Sequence, residues 1–253
     1  MTASDAWNYF HRDPAYAGVL ADRLRNGVDM DSAVGLAQAM QAKLSGDLSI
    51  LDFGSGPGHY LPVLRRIYDR GSIAYRGVDI VEASVETGNA YFADDPDVSF
   101  EVGSVLTPAD SYRGENVMFS ANTLPHVPTI EPLLVFMRET PGITAFAFRM
   151  LIGQECVEIR KHLSEGEFGG LFEAGYQHNN IYSARYLSHA LGDAWSFDIL
   201  DDHVDLARLK HHSVPAQAAD PFYGNRVSRA VGDLTFKGDV YMPWKLVVGT
   251  RKA

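Results

Sequence analysis

The 253-residue chain has a single cysteine, Cys156, which excludes an intramolecular disulfide and any cysteine-rich zinc module. It also lacks positive charge. Its 22 lysines and arginines face 32 acids, a net charge of -10 with neutral histidines, so nonspecific attraction to phosphate backbones or anionic membranes does not drive partner choice. Long apolar runs are missing too. The most apolar stretch, Ile143 to Ile152, is short and carries Arg149, whereas a spanning helix needs about 20 apolar residues. Met1 to Trp7 shows no basic region followed by an apolar core, so no secretory signal and a cytoplasmic location are expected. There is no repeat and no sharp break in composition. With 46% hydrophobic and 21% charged residues, a disordered or low-complexity chain is excluded. One domain over residues 1–253 is expected, long enough to bury about three quarters of its extended surface.

What is present alternates. Val34, Leu36, Ala37, Met40 and Leu44 recur at helical spacing, and Leu48 to Phe53 is a short apolar run ended by glycines. Leu61, Val63, Leu64 and Ile67 return to helical spacing. Further apolar segments follow at Ile73 to Ile80, Val98 to Val105, Val117 to Ala121 and Ile143 to Leu151, each separated by enough chain for a helix. This pattern predicts an α/β fold, a Rossmann-like, seven-stranded, mostly parallel sheet with helices on both faces. Trp195 to Leu200, Leu234 to Phe236 and Trp244 to Gly249 are the strand candidates of the tail, expected to close one edge antiparallel. A helix is predicted from Ser183 to Leu191, with Gly192 as its stop. Residues 1–32 read as a helical cap, and 153–182 and 205–233 as lid or insertion segments. Within the first of these, His162 to Asn180 holds Gly166, Gly169, Gly170 and Gly175 and reads as a loop.

The most informative stretch is Asp52-Phe53-Gly54-Ser55-Gly56-Pro57-Gly58, at the end of the first predicted strand. Glycines there let the backbone turn tightly and come close to a ligand. The following helix, with Pro57 near its start, is expected to aim unpaired amides at the same point. A second acid, Asp79, ends the second strand, where a carboxylate can accept both hydroxyls of a ribose. A dinucleotide fingerprint would need a third glycine at His59, which weakens a nicotinamide reading. A P-loop would need a lysine that Pro57-Gly58-His59 does not offer. Asp52 is awkward beside a pyrophosphate and comfortable beside a cationic amino-acid moiety, which points to S-adenosylmethionine.

These residues resemble the class I S-adenosylmethionine-dependent methyltransferases. Ile50 to Gly58 is similar to the family's glycine motif and Gly77-Val78-Asp79-Ile80 to its ribose-acid segment. Val98 to Val105 and Val117 to Val127 are similar to its third-strand and fourth-strand segments. The resemblance covers residues 33 to 150 well. It implies that Gly54, Ser55, Gly56 and Gly58 shape a cofactor pocket, with Asp52 near the methionine ammonium and Asp79 on the ribose. Ile80 would pack on adenine, Ser104 and Val105 would edge the base, and Ser120, Ala121 and Asn122 would lie under the methionine. The family's usual acid after the third strand is replaced here by Ser104. Tyr9 is a further cofactor candidate, since Tyr9, Phe10 and Tyr16 could close over a sulfonium through their ring faces.

Methyl transfer needs orientation, desolvation and, for a weak nucleophile, a base. His126, past the fourth strand, is a candidate base, with an ordinary pKa near 6.5 suited to neutral pH. The alternative is that it bonds a loop carbonyl beside Pro125 and Pro128. His178 and Tyr182 are further catalytic candidates, in a segment that also holds Glu155, Arg160, His162 and Asn179. Asp201, Asp202, His203, Asp205, His211 and His212 crowd one stretch but match no metal-ligand signature. We read them as a solvated acidic loop and expect no metal. The expected acceptor is a hydroxyl, with an amine second, of a small molecule, sugar or glycan precursor, and neither nucleic acid nor a membrane. S-adenosylhomocysteine would be the product. A noncatalytic adenosyl-binding protein and a nicotinamide oxidoreductase stand as rivals, and the oligomeric state, a homodimer included, is left open.

Overall fold

In the computed structural model of the chain, the described residues are 14–112, 114–162, 176–202, 228–231, 234–237 and 240–252. Helices α1 (Pro14–Arg25) and α2 (Asp31–Lys43) come first. An alternating run follows: β1 (Leu48–Phe53), α3 (Leu61–Ile67), β2 (Ile73–Asp79), α4 (Glu82–Tyr91), β3 (Val98–Val102), β4 (Val117–Ala121), α5 (Glu131–Glu139) and β5 (Ala145–Gly153). Then come β6 (Arg160–His162), β7 (Tyr176–His178), β8 (Tyr182–Ser183), α6 (Ala184–Leu191) and β9 (Trp195–Asp201). The remaining strands are β10 (Ser228–Val231), β11 (Leu234–Lys237), β12 (Val240–Tyr241) and β13 (Trp244–Arg251).

The main sheet runs β3-β2-β1-β4-β5-β13-β9, with β8 paired to β5 as an eighth, short strand. Strands β3 to β5 along this path are parallel, and β13 is antiparallel to both β5 and β9. This is the expected mostly parallel sheet with an antiparallel edge. The central strands β1, β4, β5 and β13 are buried at both parities because both faces are covered. Ile50, Phe119, Ala147 and Val248 pack with Leu36 and Met40 of α2 and Leu64 of α3. The alternate residues Leu51, Met118, Phe146, Phe148 and Val247 pack with Leu133 and Met137 of α5 and Leu187 of α6.

Three local expectations are corrected. The Leu234 to Phe236 strand does not join the edge; it lies in a separate antiparallel sheet, β10-β11-β12. The predicted His162 to Asn180 loop contains paired β-structure at its ends, since Arg160–His162 and Tyr176–His178 form an antiparallel ladder. Their polar side chains hid a pairing that rests on backbone bonds. Residues 163–175, with all four glycines of that stretch, lie outside the described residues, as do 205–227 of the second insertion. Lastly, Pro57 does not open a helix: the backbone turns through residue 60 and α3 begins at Leu61 with Pro62 in its first turn. The left-handed glycines described next prevent an earlier start.

Candidate functional site

The strand order reverses between β1 and β4, and in open α/β sheets ligands bind outside the carboxyl ends of the strands at such a point. The glycine turn leaves β1 here. Gly54, Gly56 and Gly58 all take left-handed φ, +77°, +54° and +79°. At Gly54 a side chain is also excluded by space, because a Cβ would lie 1.9 Å from Oγ1 of Thr123, which follows β4. The turn is tied to β2, with the Gly54 amide donating to the Val78 carbonyl at 2.7 Å. Helix α1 lies over it, with Leu20 Cδ1 3.0 Å from the Cβ position of Gly56. A nucleoside bound at the turn therefore shares this space with α1 or displaces it.

Two buried carboxylates converge on the turn. Asp79 accepts from the Gly56 amide at 2.7 Å and from the Val81 amide at 2.9 Å. These bonds fix the carboxylate's orientation. Asp52 accepts from the Tyr75 hydroxyl, while its Oδ1 is buried without a hydrogen-bond partner. Burial pushes the Asp52 carboxyl up to about 8; the Tyr75 bond opposes this and the nearby Asp79 adds to it. An orphaned buried carboxylate oxygen suits a cationic or N–H donor group supplied from outside. His59, where a dinucleotide fingerprint has glycine, packs its ring edge-on to Tyr60 at 4.9 Å. Burial, with Arg23 nearby, pushes its imidazole down to about 3.

The other expected cofactor residues divide. Ser55 is buried and its hydroxyl donates to the Gly56 carbonyl at 3.0 Å, within the turn. Ile80 is half-buried at the end of β2. Ser104 turns its hydroxyl to the Leu106 amide at 3.1 Å, and Val105 packs in the core with Val78. Ser120 is fully buried and donates to the Phe53 carbonyl at 2.7 Å, which ties β4 to β1. Ala121 is buried and Asn122 follows it with φ +67°. Tyr9 and Phe10 lie outside the described residues, as does the Tyr16 side chain.

Among the catalytic candidates, the structure brings His126 and His178 together. His126 Nδ1 lies 2.8 Å from the His178 carbonyl. A carbonyl only accepts, so Nδ1 carries the proton and Nε2 is the basic nitrogen of the neutral ring. The His178 imidazole is buried; desolvation lowers its pKa, Arg160 adds to this, and Glu158 opposes it. Tyr182 goes into the core, stacked on Tyr186 at 5.6 Å, and burial raises its phenol pKa well above the usual range.

One polar cluster was missed from the sequence. Arg149, on β5, pairs with Asp202 just past β9, and its guanidinium lies 4.0 Å over the Trp244 ring. It also donates to Asn122, which donates in turn to the Tyr60 hydroxyl at 2.8 Å. The visible signal was a charge inside an apolar strand, used above only against a membrane span. Reading Asp201 and Asp202 together as a solvated loop is corrected for Asp202, whose side chain is 2% exposed because its neighbour takes the outer face and pairs with Lys245. His203, Asp205, His211 and His212 lie outside the described residues.

Open hollows occur elsewhere, including one of about 360 Å³ along α6 lined by Ser183, Arg185, Tyr186 and His189. We place the site at the glycine turn because the switch point, the left-handed backbone and both buried acids coincide there. No helix among the described residues is long and apolar enough to cross a membrane.

Comparison with solved structures agrees with the topology. The chain superposes on a structure from Haloferax volcanii, a complex of the Trm112 methyltransferase activator and a putative methyltransferase, with a TM-score of 0.54 and 16% identity over 100% of this chain and 98% of that one. It is also similar to an S-adenosylmethionine-dependent methyltransferase from Mesorhizobium loti, TM-score 0.52, 15% identity, covering 85% and 96%. A third is the [4+2]-cyclase SpnF, TM-score 0.52, 13% identity, covering 88% and 80%. No family model and no curated relative matches the chain. The chain has the class I methyltransferase fold.

Proposed function

We propose that the chain is an S-adenosylmethionine-dependent methyltransferase, with S-adenosylhomocysteine as product. The observation that carries this reading is the 2.7 Å bond between the Gly56 amide and Asp79, which joins the glycine turn and the acid in one receptor. Asp79 would hold the ribose hydroxyls. The orphaned oxygen of Asp52 would take the methionine ammonium. Ile80 would pack against adenine, Ser104 and Val105 would border it, and the backbone from Ser120 to Asn122 would support the methionine. Bound there, the cofactor supplies an activated methyl carbon; the chain's own part is to orient it, keep out water and remove a proton from the acceptor.

For the acceptor we propose a hydroxyl, with an amine second, on a small molecule or glycan precursor. The net charge of -10 argues against a nucleic-acid acceptor. His126 is the proposed base, through Nε2, with His178 fixing its tautomer by the carbonyl bond. One observation favours a second reading, a protein with the same fold that transfers no methyl group: the SpnF structure carries the name of a cyclase. Incubation with isotopically labelled S-adenosylmethionine and a panel of glycosides, phenols and amines, followed by mass spectrometry, separates the two. Label in an acceptor supports methyl transfer; tight binding of S-adenosylhomocysteine with no labelled product across the panel favours the second reading.

A further inference from the structure

The Arg149 cluster spans elements far apart in sequence and ends beside the glycine turn. Its hydrogen bonds have one direction. Arginine has no acceptor, so Asn122 Oδ1 must receive from Arg149, which leaves Asn122 Nδ2 to donate to Tyr60 at 2.8 Å. The Tyr60 hydroxyl, accepting there, also shares a hydrogen bond with Ser32 Oγ at 2.7 Å, in which either hydroxyl can donate. The Asn122 side chain is thus held at both ends. Its backbone is held as well, the amide donating to the Arg149 carbonyl at 3.2 Å. Asn122 is the one described non-glycine residue with positive φ, +67°, a conformation uncommon in L residues, which asparagine enters more readily than most and which is here held through its side chain and its amide. The next residue, Thr123, packs on Gly54 and bonds its carbonyl at 3.4 Å.

Charge balance fits the same purpose. An unpaired guanidinium would repel a sulfonium at the turn, and Asp202, accepting from Nε at 2.8 Å and Nη2 at 2.5 Å, removes that field without removing the fork. Trp244 fixes the guanidinium plane from one side. A buried ion pair is seldom better for stability than apolar residues of equal volume, so stability alone does not explain this one. We infer that Arg149, with Asp202 as its counter-charge, is a positioning residue: it holds Asn122 left-handed and thereby sets the chain after β4 against the glycine turn in the shape the donor requires. The inference rests on the proposed S-adenosyl site.

The test is calorimetric titration with S-adenosylhomocysteine. Arg149→Met combined with Asp202→Leu removes both charges, so neither is left buried alone. It should weaken binding about tenfold, the scale of a left-handed penalty no longer enforced. Adding Asn122→Gly, which enters that conformation freely, should restore affinity to within about threefold of the wild type, whereas adding Asn122→Ala should not. A pair that served only stability would lower the melting temperature without any rescue by glycine. Unchanged affinity in the double variant, or glycine restoring no more than alanine, overturns the inference. Should the double variant fail to fold, Arg149→Lys keeps the charge but loses the planar fork that puts two nitrogens on Asp202 and a third on Asn122, and undiminished affinity there overturns it equally. A wild type that binds no S-adenosylhomocysteine overturns the proposed site, and the inference with it; binding by the wild type with any of the failures above overturns the inference alone.

Discussion

Asp52 and Asp79 sit at the same strand ends yet do different work. Asp79 accepts from two amides, which orient it, whereas Asp52 has one phenol partner and a carboxyl pushed up to about 8 by burial. The folded state thus holds a proton on Asp52 that the unfolded state, with an ordinary carboxyl near 3.8, releases. Stability from this group is present below the unfolded pKa and declines as pH rises toward 8. Asp52→Asn should therefore gain stability relative to wild type between pH 5 and pH 8, seen as a growing difference in melting temperature; a constant difference would refute the assignment. Asp79→Ala should weaken S-adenosylhomocysteine binding by about 1–3 kcal/mol through loss of charge-assisted bonds, measured by calorimetry. Both acids were legible because the glycine motif and the strand-end acid are local in sequence. Arg149, Asp202, Tyr60 and Trp244 were not, since each joins the cluster from a different element and no short window contains two of them.

Individual elements were most legible where composition changes abruptly. Leu48–Phe53 and Val117–Ala121 coincide with their apolar runs, and α6 begins at the Ser183 cap, which accepts from the Tyr186 amide at 3.1 Å, and stops at left-handed Gly192. The third strand was read too long because the ladder ends at Val102 and the chain then turns at residues 105–106, with the Thr107 amide bonding the Ser104 carbonyl at 3.1 Å. Strands β6 and β7 escaped notice because Arg160, Lys161, His162 and Gln177 give no apolar alternation. The turn between β1 and α3 is the element least tolerant of change. Gly54→Ala meets both a left-handed backbone and Thr123, and should cost about 2–4 kcal/mol in denaturant unfolding. A loss under about 1 kcal/mol would show that the turn relaxes freely.

For the molecule as a whole, a ligand that binds only the folded state adds its binding energy to stability. S-adenosylhomocysteine at about a hundred times its Kd should add about 2.7 kcal/mol and raise the melting temperature by about 5–10 °C. No shift in a thermal scan would count against the site. The fold class was legible because alternation of strand and helix survives in the apolar pattern even where pairing partners do not. Which tail strand joins the sheet was not, since Leu234–Lys237 and Trp244–Arg251 are both short apolar runs and only backbone pairing separates them. The place taken by β13 bears on how the chain matures. Because β13 is wedged between β5 and β9, Phe146, Phe148 and Met150 border an unpaired seam until residue 251 has left the ribosome. A nascent chain halted before Trp244 would expose that seam to other chains, so its escape from aggregation depends on how promptly Trp244–Arg251 is added and paired.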